Sequence, residues 1–388
     1  MPENDAEGTT IEQGRVIHGD CIEELRKLNE NSVEAVVTDP PYGLAFMRND
    51  WDDFDPKEYQ QFCEEWGDAV LRVLKPGGFL LAFSGTRTYH RMVVGLQDAG
   101  FEIRDMINWM YGNGFPKGYN FDRFSEDWSG WSTTLKPAHE PIVVAQNPRK
   151  GTYQENVEQY GCGGMHIDAC RIGVGEEKKR DGEDLANREF SDSGSTDYPI
   201  KSGSRGGDSR GRWPANVVLD SVAARHLDFQ SGELSSGVLE DRHDVESRMT
   251  QYCYGDYERS NTSDTYGDSG GASRFFYSAK AAKSERNAGV DADNDIATLK
   301  PINLMRYLAR LVTPPNGTVL DPFAGSGTTG CACEVEDFDY VLVEKRERFA
   351  EDIIPQRLQH WPQEQNWDTL KEHNELPEPD FGQGETVS

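Results

Sequence analysis

Asp39-Pro40-Pro41-Tyr42 closes the apolar run Val36-Val37-Thr38, and an ordinary strand does not continue this way. Proline fixes φ and has no N–H donor, so two in tandem stop a ladder and freeze the backbone beside a carboxylate. That combination suits the problem of making an aromatic amine nucleophilic. The lone pair of an exocyclic base amine is delocalised into its ring. Two acceptors on its hydrogens, the Asp39 carboxylate and the Pro40 carbonyl, would draw the nitrogen toward tetrahedral geometry and localise that pair. The Pro40-Pro41 peptide fixes where the carbonyl points before any substrate arrives. Tyr42 offers a flat face to a base swung out of a duplex, a stacking worth about 1–3 kcal/mol. The plain alternative is a strand-ending turn with a buried tyrosine.

A second constellation lies far downstream. Gly325-Ser326-Gly327-Thr328-Thr329-Gly330 follows the strand-like "TVLD" and opens a helix-like segment, and Glu344 ends the next strand-like run, 23 residues after Asp321. Glycine lets backbone approach a ligand, and the acid can accept from ribose hydroxyls, so this order points to NAD, FAD or S-adenosylmethionine. A phosphate P-loop is excluded, since G-x-x-x-x-G-K-[ST] occurs nowhere. Asp-Pro-Pro-Tyr favours the methyl donor, because nicotinamide chemistry has no use for it. Asp20, before "CIEEL", reads as a helix N-cap, a role that does not exclude binding. Cys162, His166 and Cys170 lack a second closely spaced pair, so no metal is expected.

These residues need elements to hold them. "RVIHGD" and "VEAVVTD" read as strands around the helical "CIEELRKLN". A helix over 57–74 ends at "KPGG", followed by the strand "FLLAFSG", a helix near 87–99, and the strands "FEIRDMINWMY" and "EPIVVAQ". From 148 to 272 the chain turns polar and rich in Gly, Ser and Asp, with one ordered-looking island, "RWPANVVLD". A structureless loop of that length is expected to carry function. Its run of Lys201, Arg205, Arg210 and Arg212 is a candidate DNA-reading surface, since arginines read guanine edges for about 1–3 kcal/mol each; a solvated linker is the competing reading. Order resumes with the amphipathic "PINLMRYLARLV", the strand "YVLVEK" and a last helix from "ERFAEDII".

The 388 residues carry 40 basic and 68 acidic side chains, a net charge of −28. Either the protein avoids nucleic acid, or it is adapted to molar salt, where the Debye length is only about 3 Å and like charges hardly repel. The motifs favour the second reading, and with it a halophilic archaeon or its virus as source. No apolar run of about 18 residues occurs and the acidic N-terminus does not resemble a signal peptide, so a cytoplasmic chain without membrane association is expected. The seven cysteines are expected to stay thiols.

In combination these motifs resemble the amino-group DNA methyltransferases of the permuted beta arrangement, in which Asp-Pro-Pro-Tyr precedes the cofactor loop and a target-recognition region lies between. The resemblance covers roughly 14–146 and 273–360. It implies a Rossmann-like α/β fold, a mostly parallel sheet with helices on both faces, circularly permuted and carrying a loop-rich insert. It implies S-adenosylmethionine as cofactor, held by Asp20, Lys300, Asp321, Pro322, Phe323, Gly325, Gly327 and Glu344, and catalysis by Asp39, Pro40, Pro41 and Tyr42. Where the family has His-Pro shortly before Lys300-Pro301, this chain has Ile296-Ala297. The implied organisation is an acidic disordered arm (1–13), a target-base half (14–147), a recognition insert (148–272), a cofactor half (273–373) and a disordered tail (374–388). Asp before Pro-Pro-Tyr leans toward N6 of adenine, with N4 of cytosine as the alternative. The implied partner is double-stranded DNA, with room for a homodimer and a cognate restriction endonuclease.

Overall fold

The computed structural model describes residues 9–11, 14–44, 52–173, 211–235, 268–279, 285, 288–290 and 299–361. The elements run β1 (Thr9–Ile11), β2 (Gly14–His18), α1 (Cys21–Leu25), β3 (Val33–Thr38), α2 (Pro56–Val73), β4 (Leu74–Phe83), α3 (Tyr89–Asp98), β5 (Glu102–Met110), β6 (His139–Gln146) and α4 (Tyr153–Tyr160). They continue with β7 (Val217–Asp220), α5 (Ser221–Ser231), β8 (Leu234–Ser235), β9 (Ser269–Gly270), β10 (Tyr277–Ala279), α6 (Ile302–Val312), β11 (Thr318–Asp321), α7 (Thr328–Glu336), β12 (Asp339–Glu344) and α8 (Ile354–His360).

Ten strands form one sheet in the order β1-β2-β12-β11-β3-β4-β6-β5-β7-β10. Only β1 and β6 run against the rest. A parallel sheet covered on both faces needs strands apolar on both sides. β3 meets this need: Val36 packs with Leu80, Leu320 and Trp66 on one face, and Ala35 and Val37 pack with Leu81, Val319 and Leu308 on the other. The fold is therefore the Rossmann-like α/β sheet expected from the motifs.

Local signals explain the helices. Asp55 caps α2 in a capping box with Glu58, Pro56 stands in the first turn, and Tyr59, Cys63, Trp66, Val70 and Val73 recur at helical spacing on its buried side. α2 ends just before "KPGG", as expected. Leu74 starts β4 directly, and Lys75 to Gly78 make a bulge, so that Val33 pairs with Leu74 but Ala35 with Phe79. Gly77 takes a left-handed φ of 83°. A Cβ on Gly78 would lie 2.8 Å from the Glu34 carbonyl oxygen, so the bulge admits only glycine there.

The polar region also departs from a simple insert. Its island supplies β7, which pairs in parallel with β5 and with β10, extending the main sheet. Asp220 caps α5 and also accepts from the Gly112 amide at 3.2 Å, fastening this strand to the end of β5. The expected N-terminal arm likewise contributes β1, paired antiparallel with β2. Among the described residues no helix is long and apolar enough to cross a membrane.

Candidate active site

β3 and β11 are hydrogen-bonded neighbours, yet their helices leave in opposite directions. α2 packs on one face with Trp66 and Val70, and α7 on the other with Cys331 and Cys333. Adjacent parallel strands that diverge in this way open a crevice at their carboxyl ends, where ligands bind in such sheets. Asp39 follows β3 at this crevice and the glycine loop follows β11. Two segments nearly three hundred residues apart thus meet.

A bolt joins them. The buried Asp321 carboxylate accepts from Thr38 Oγ1 at 2.6 Å, from the Phe323 amide at 3.1 Å and from Thr329 Oγ1. Burial pushes its carboxyl up to about 6, although the hydroxyls of Thr329 and Thr38 pull downward. Asp321 therefore ties β3 to the glycine loop, a structural task that its expected cofactor role did not include.

On the β3 side, Tyr42 turns its hydroxyl back to donate to Asp39 Oδ1 at 2.7 Å, while Lys300 Nζ donates to Asp39 Oδ2 at 2.6 Å and to the Tyr42 oxygen at 3.1 Å. Glu140 completes the cluster, its Oε2 lying 3.2 Å from Lys300 Nζ and 3.1 Å from the Tyr42 oxygen. The Lys300 ammonium also lies 4.9 Å from the centre of the Phe83 ring. Burial pushes the Asp39 carboxyl above its ordinary value; Lys300 opposes this and Glu140 adds to it. Burial works against the Lys300 ammonium, but Asp39 and Glu140 outweigh it and hold its pKa above the usual lysine range. The Tyr59 hydroxyl donates to the Pro41 carbonyl at 3.0 Å and fixes the Pro-Pro turn. Asp52 accepts from the amides of Gly43 and Leu44, at 2.6 and 3.1 Å, and fixes the chain beyond Tyr42.

On the β11 side, Gly325 and Gly327 have left-handed φ of 58° and 78°. A Cβ on Gly327 would come 2.9 Å from Ile354 of α8, so glycine is also required for packing. The Glu344 carboxylate accepts from the Gly325 amide at 2.8 Å and from the Arg346 amide at 3.0 Å. The Gly19 amide donates to the Glu344 carbonyl at 3.1 Å, which brings Asp20 beside Glu344 at the ends of β2 and β12. Asp20 caps α1 through the Ile22 amide at 3.1 Å and meets Lys345 at 3.2 Å. Phe323 stands edge-on to Trp66, with centroids 5.6 Å apart, and Pro322 is buried behind it. Beneath the loop, the fully buried Arg357 donates through Nη1 to the Ser326 carbonyl at 2.6 Å, to Ser326 Oγ at 2.8 Å and to Thr328 Oγ1 at 3.2 Å.

The structure thus brings Asp20, Asp321, Pro322, Phe323, Gly325, Gly327 and Glu344 to one side of the crevice and Asp39, Pro40, Pro41 and Tyr42 to the other. Lys300 departs from expectation. Its ammonium pairs with the half-buried carboxylates of Asp39 and Glu140, on the β3 side of the crevice. Arg212 also departs. It is buried, paired with Asp268, and stacked 4.9 Å from the Phe275 ring centre, so it faces the fold and not a ligand. Lys201, Arg205, Arg210 and Ile296-Ala297 lie outside the described residues. Cys162 and Cys170 are buried apart, packed under Pro76 and Tyr307 respectively. Sequence reasoning missed Glu140 and Arg357. An acid before the buried "PIVVA" was the available signal for the first; nothing local marked the second.

Residues 33–355 match a family of N6/N4 methyltransferases described as DNA methylase. The chain is 28% identical over 195 residues to Type II methyltransferase M.HindIII of Haemophilus influenzae, covering 38% of this chain and 63% of that one. It is 30% identical over 142 residues to Type II methyltransferase M.HpaI of Haemophilus parainfluenzae, covering 36% and 41%. The matched stretches therefore span less than two thirds of either relative. Among solved structures, the M1.HpyAVI–SAM complex superposes with a TM-score of 0.42 at 17% identity, covering 89% of this chain and all of that one. PvuII DNA methyltransferase (cytosine-N4-specific) gives 0.46 at 15% identity, covering 88% and 85%.

Proposed function

This chain belongs to the DNA methylase family, and from that premise we propose that it transfers the methyl group of S-adenosylmethionine to the N6 amine of adenine in double-stranded DNA, on a base swung out of the helix. The observation that carries the reading is the shared crevice: Asp39 and the glycine loop leave neighbouring strands and are joined through Thr38 and Asp321.

The donor set fits the cofactor. Glu344 and Asp20 stand side by side as acceptors for ribose hydroxyls and an adenine amine, Phe323 offers an aromatic face, and Gly325 and Gly327 allow close backbone approach. When bound there, S-adenosylmethionine supplies an electrophilic methyl. The protein's own task is the amine. Each carboxylate oxygen has two lone pairs, and the Tyr42 and Lys300 bonds take one from each, so Asp39 can still accept from the amine. Tyr59 fixes the Pro41 carbonyl and so the turn, and Pro40's carbonyl serves as the second acceptor. With both N–H bonds held, the nitrogen lone pair would be free to take up the methyl that the cofactor supplies, and the amine would then release one proton through the Asp39 carboxylate to solvent. Tyr42, anchored by its hydroxyl, presents a fixed ring to the base. Lys300 and Glu140 keep Asp39 placed as a positioning pair.

The same reading extends to a permuted, Asp-Pro-Pro-Tyr type enzyme acting in the cytoplasm of a halophilic source, with Lys201, Arg205 and Arg210 as recognition candidates and room for a homodimer and a partner endonuclease. Incubation with DNA and S-adenosylmethionine, digestion to nucleosides and mass analysis test it. N6-methyl-2′-deoxyadenosine is expected; N4-methyl-2′-deoxycytidine would move the target base, and no methylated nucleoside would overturn the reading.

A further inference from the structure

Between β5 and β6 the chain makes a long excursion, residues 111–138, that leaves the sheet beside the crevice. Its base is closed by the Tyr111 amide donating to the Ala138 carbonyl at 2.9 Å and by Lys136 donating to the Gly112 carbonyl. Tyr111 stacks toward Trp109 at 5.3 Å, and Trp109 meets Phe83, the ring under Lys300, at 6.5 Å. The excursion is therefore continuous with the cluster around Asp39.

Its surface is unusual for an exposed loop. Phe115, Tyr119, Phe124, Trp128, Trp131 and Leu135 are all exposed, Phe115 by 77% and Leu135 by 91%. This is not a collapsed or shapeless segment. Rings run edge to face from Tyr119 to Phe121 (5.1 Å), tilted from Phe121 to Trp128 (5.7 Å), and edge to face again from Trp128 to Trp131 (5.3 Å). Asp122 pins the fold of the loop by accepting from the Gly130 amide at 2.6 Å and the Asn120 side-chain amide at 2.8 Å. Large exposed apolar patches mark interaction sites. Charge narrows the partner. By sequence the 111–138 segment carries three basic and three acidic residues, so it is neutral in a chain of net charge −28 and adds no repulsion of its own toward a polyanion.

We infer that the 111–138 loop is a stacking platform for duplex DNA at the target, its exposed rings covering bases that lose a neighbour when the substrate base leaves the helix. Apolar wedges entering base steps and aromatic faces on unstacked bases are the two ways protein side chains replace lost base stacking. Such contacts survive salt that screens phosphate attraction, which fits an acidic protein. The inference rests on the methyl-transfer reading for the choice of DNA as occupant; a second copy of the chain is the competing occupant.

Phe115→Ala and Trp131→Ala, made in the full chain, test it. Phe115 has no ring partner among the described residues, so its truncation leaves the loop standing even if loss of Trp131 loosens the Trp128 contact. Duplex dissociation constants are measured on a site that the wild type methylates, or on random-sequence duplex if it methylates none, alongside sedimentation velocity. Duplex binding is expected to weaken about ten-fold or more in each variant, with melting temperature, S-adenosylmethionine affinity and sedimentation unchanged. Unchanged duplex affinity in Phe115→Ala overturns the platform, and a loss of self-association in its place assigns the patch to a second copy. Wild-type methylation is scored separately, so failure of the methyl-transfer reading and failure of the platform give different results.

Discussion

Replacing Asp321 by Asn tests the bolt between the two halves of the site. Burial raises this carboxyl from 3.8 to about 6, so the folded state holds its proton more tightly than the unfolded chain does. Stability from this group is therefore fully present below about pH 3.8 and is lost as pH rises through about 6. At 1.36 kcal/mol per unit, ionising Asp321 costs the folded state about 3 kcal/mol by pH 8. Asparagine cannot ionise and keeps the geometry. Its Oδ1 can still accept from Thr38 Oγ1 and the Phe323 amide. Its Nδ2 can donate to Thr329 Oγ1, whose own proton can turn to the Val37 carbonyl, 3.4 Å away. Urea unfolding of the wild type and Asp321→Asn from pH 4 to 8 gives the difference directly. The variant is expected to gain about 2–3 kcal/mol on the wild type across that range, most of it below pH 6.5. Parallel stability curves, or a variant weaker at every pH, would refute the reasoning.

Further outcomes are expected from the same geometry. Lys300→Met removes the charge that lowers the Asp39 pKa and Glu140→Gln removes one that raises it, so the acid limb of methylation should move to higher pH in the first and to lower pH in the second; pH–rate profiles check both signs. Arg357→Met takes three donor contacts from beneath the glycine loop, and S-adenosylmethionine affinity by titration calorimetry should fall about ten-fold or more, with duplex affinity unchanged. Duplex binding followed against salt should persist near 1 M, with a shallow slope; tight binding only below about 0.1 M would contradict the reliance on stacking and base contacts.

Much of the fold was legible because its signals are local. Val33 to Thr38 reads as a buried strand from its apolar run, the proline pair marks its end, and the glycine loop announces a strand-to-helix turn. The meeting of Asp39 with that loop followed from a general rule about where parallel sheets bind ligands. What was not legible depends on distant partners. Lys300 stands 261 positions from Asp39, and nothing in "LKPINL" says which side of the crevice its ammonium chooses. A carboxylate at a strand end can bind a ligand or brace the fold; Asp321 braces because Thr38 and Thr329 meet it in space. Arg212 read as a surface cation because its partner Asp268 lies 56 positions on. Val217 to Asp220 is too short a run, in too polar a setting, to declare itself a sheet strand.

Methyl transfer by Asp39→Ala, measured as label passed from S-adenosylmethionine to DNA at saturating cofactor, tests the central claim most directly. The account requires transfer to fall at least about a thousand-fold, since both the amine's acceptor and its geometry are lost, while cofactor affinity stays at the wild-type value because its residues lie on the other side of the crevice. Transfer within a few-fold of wild type would contradict it.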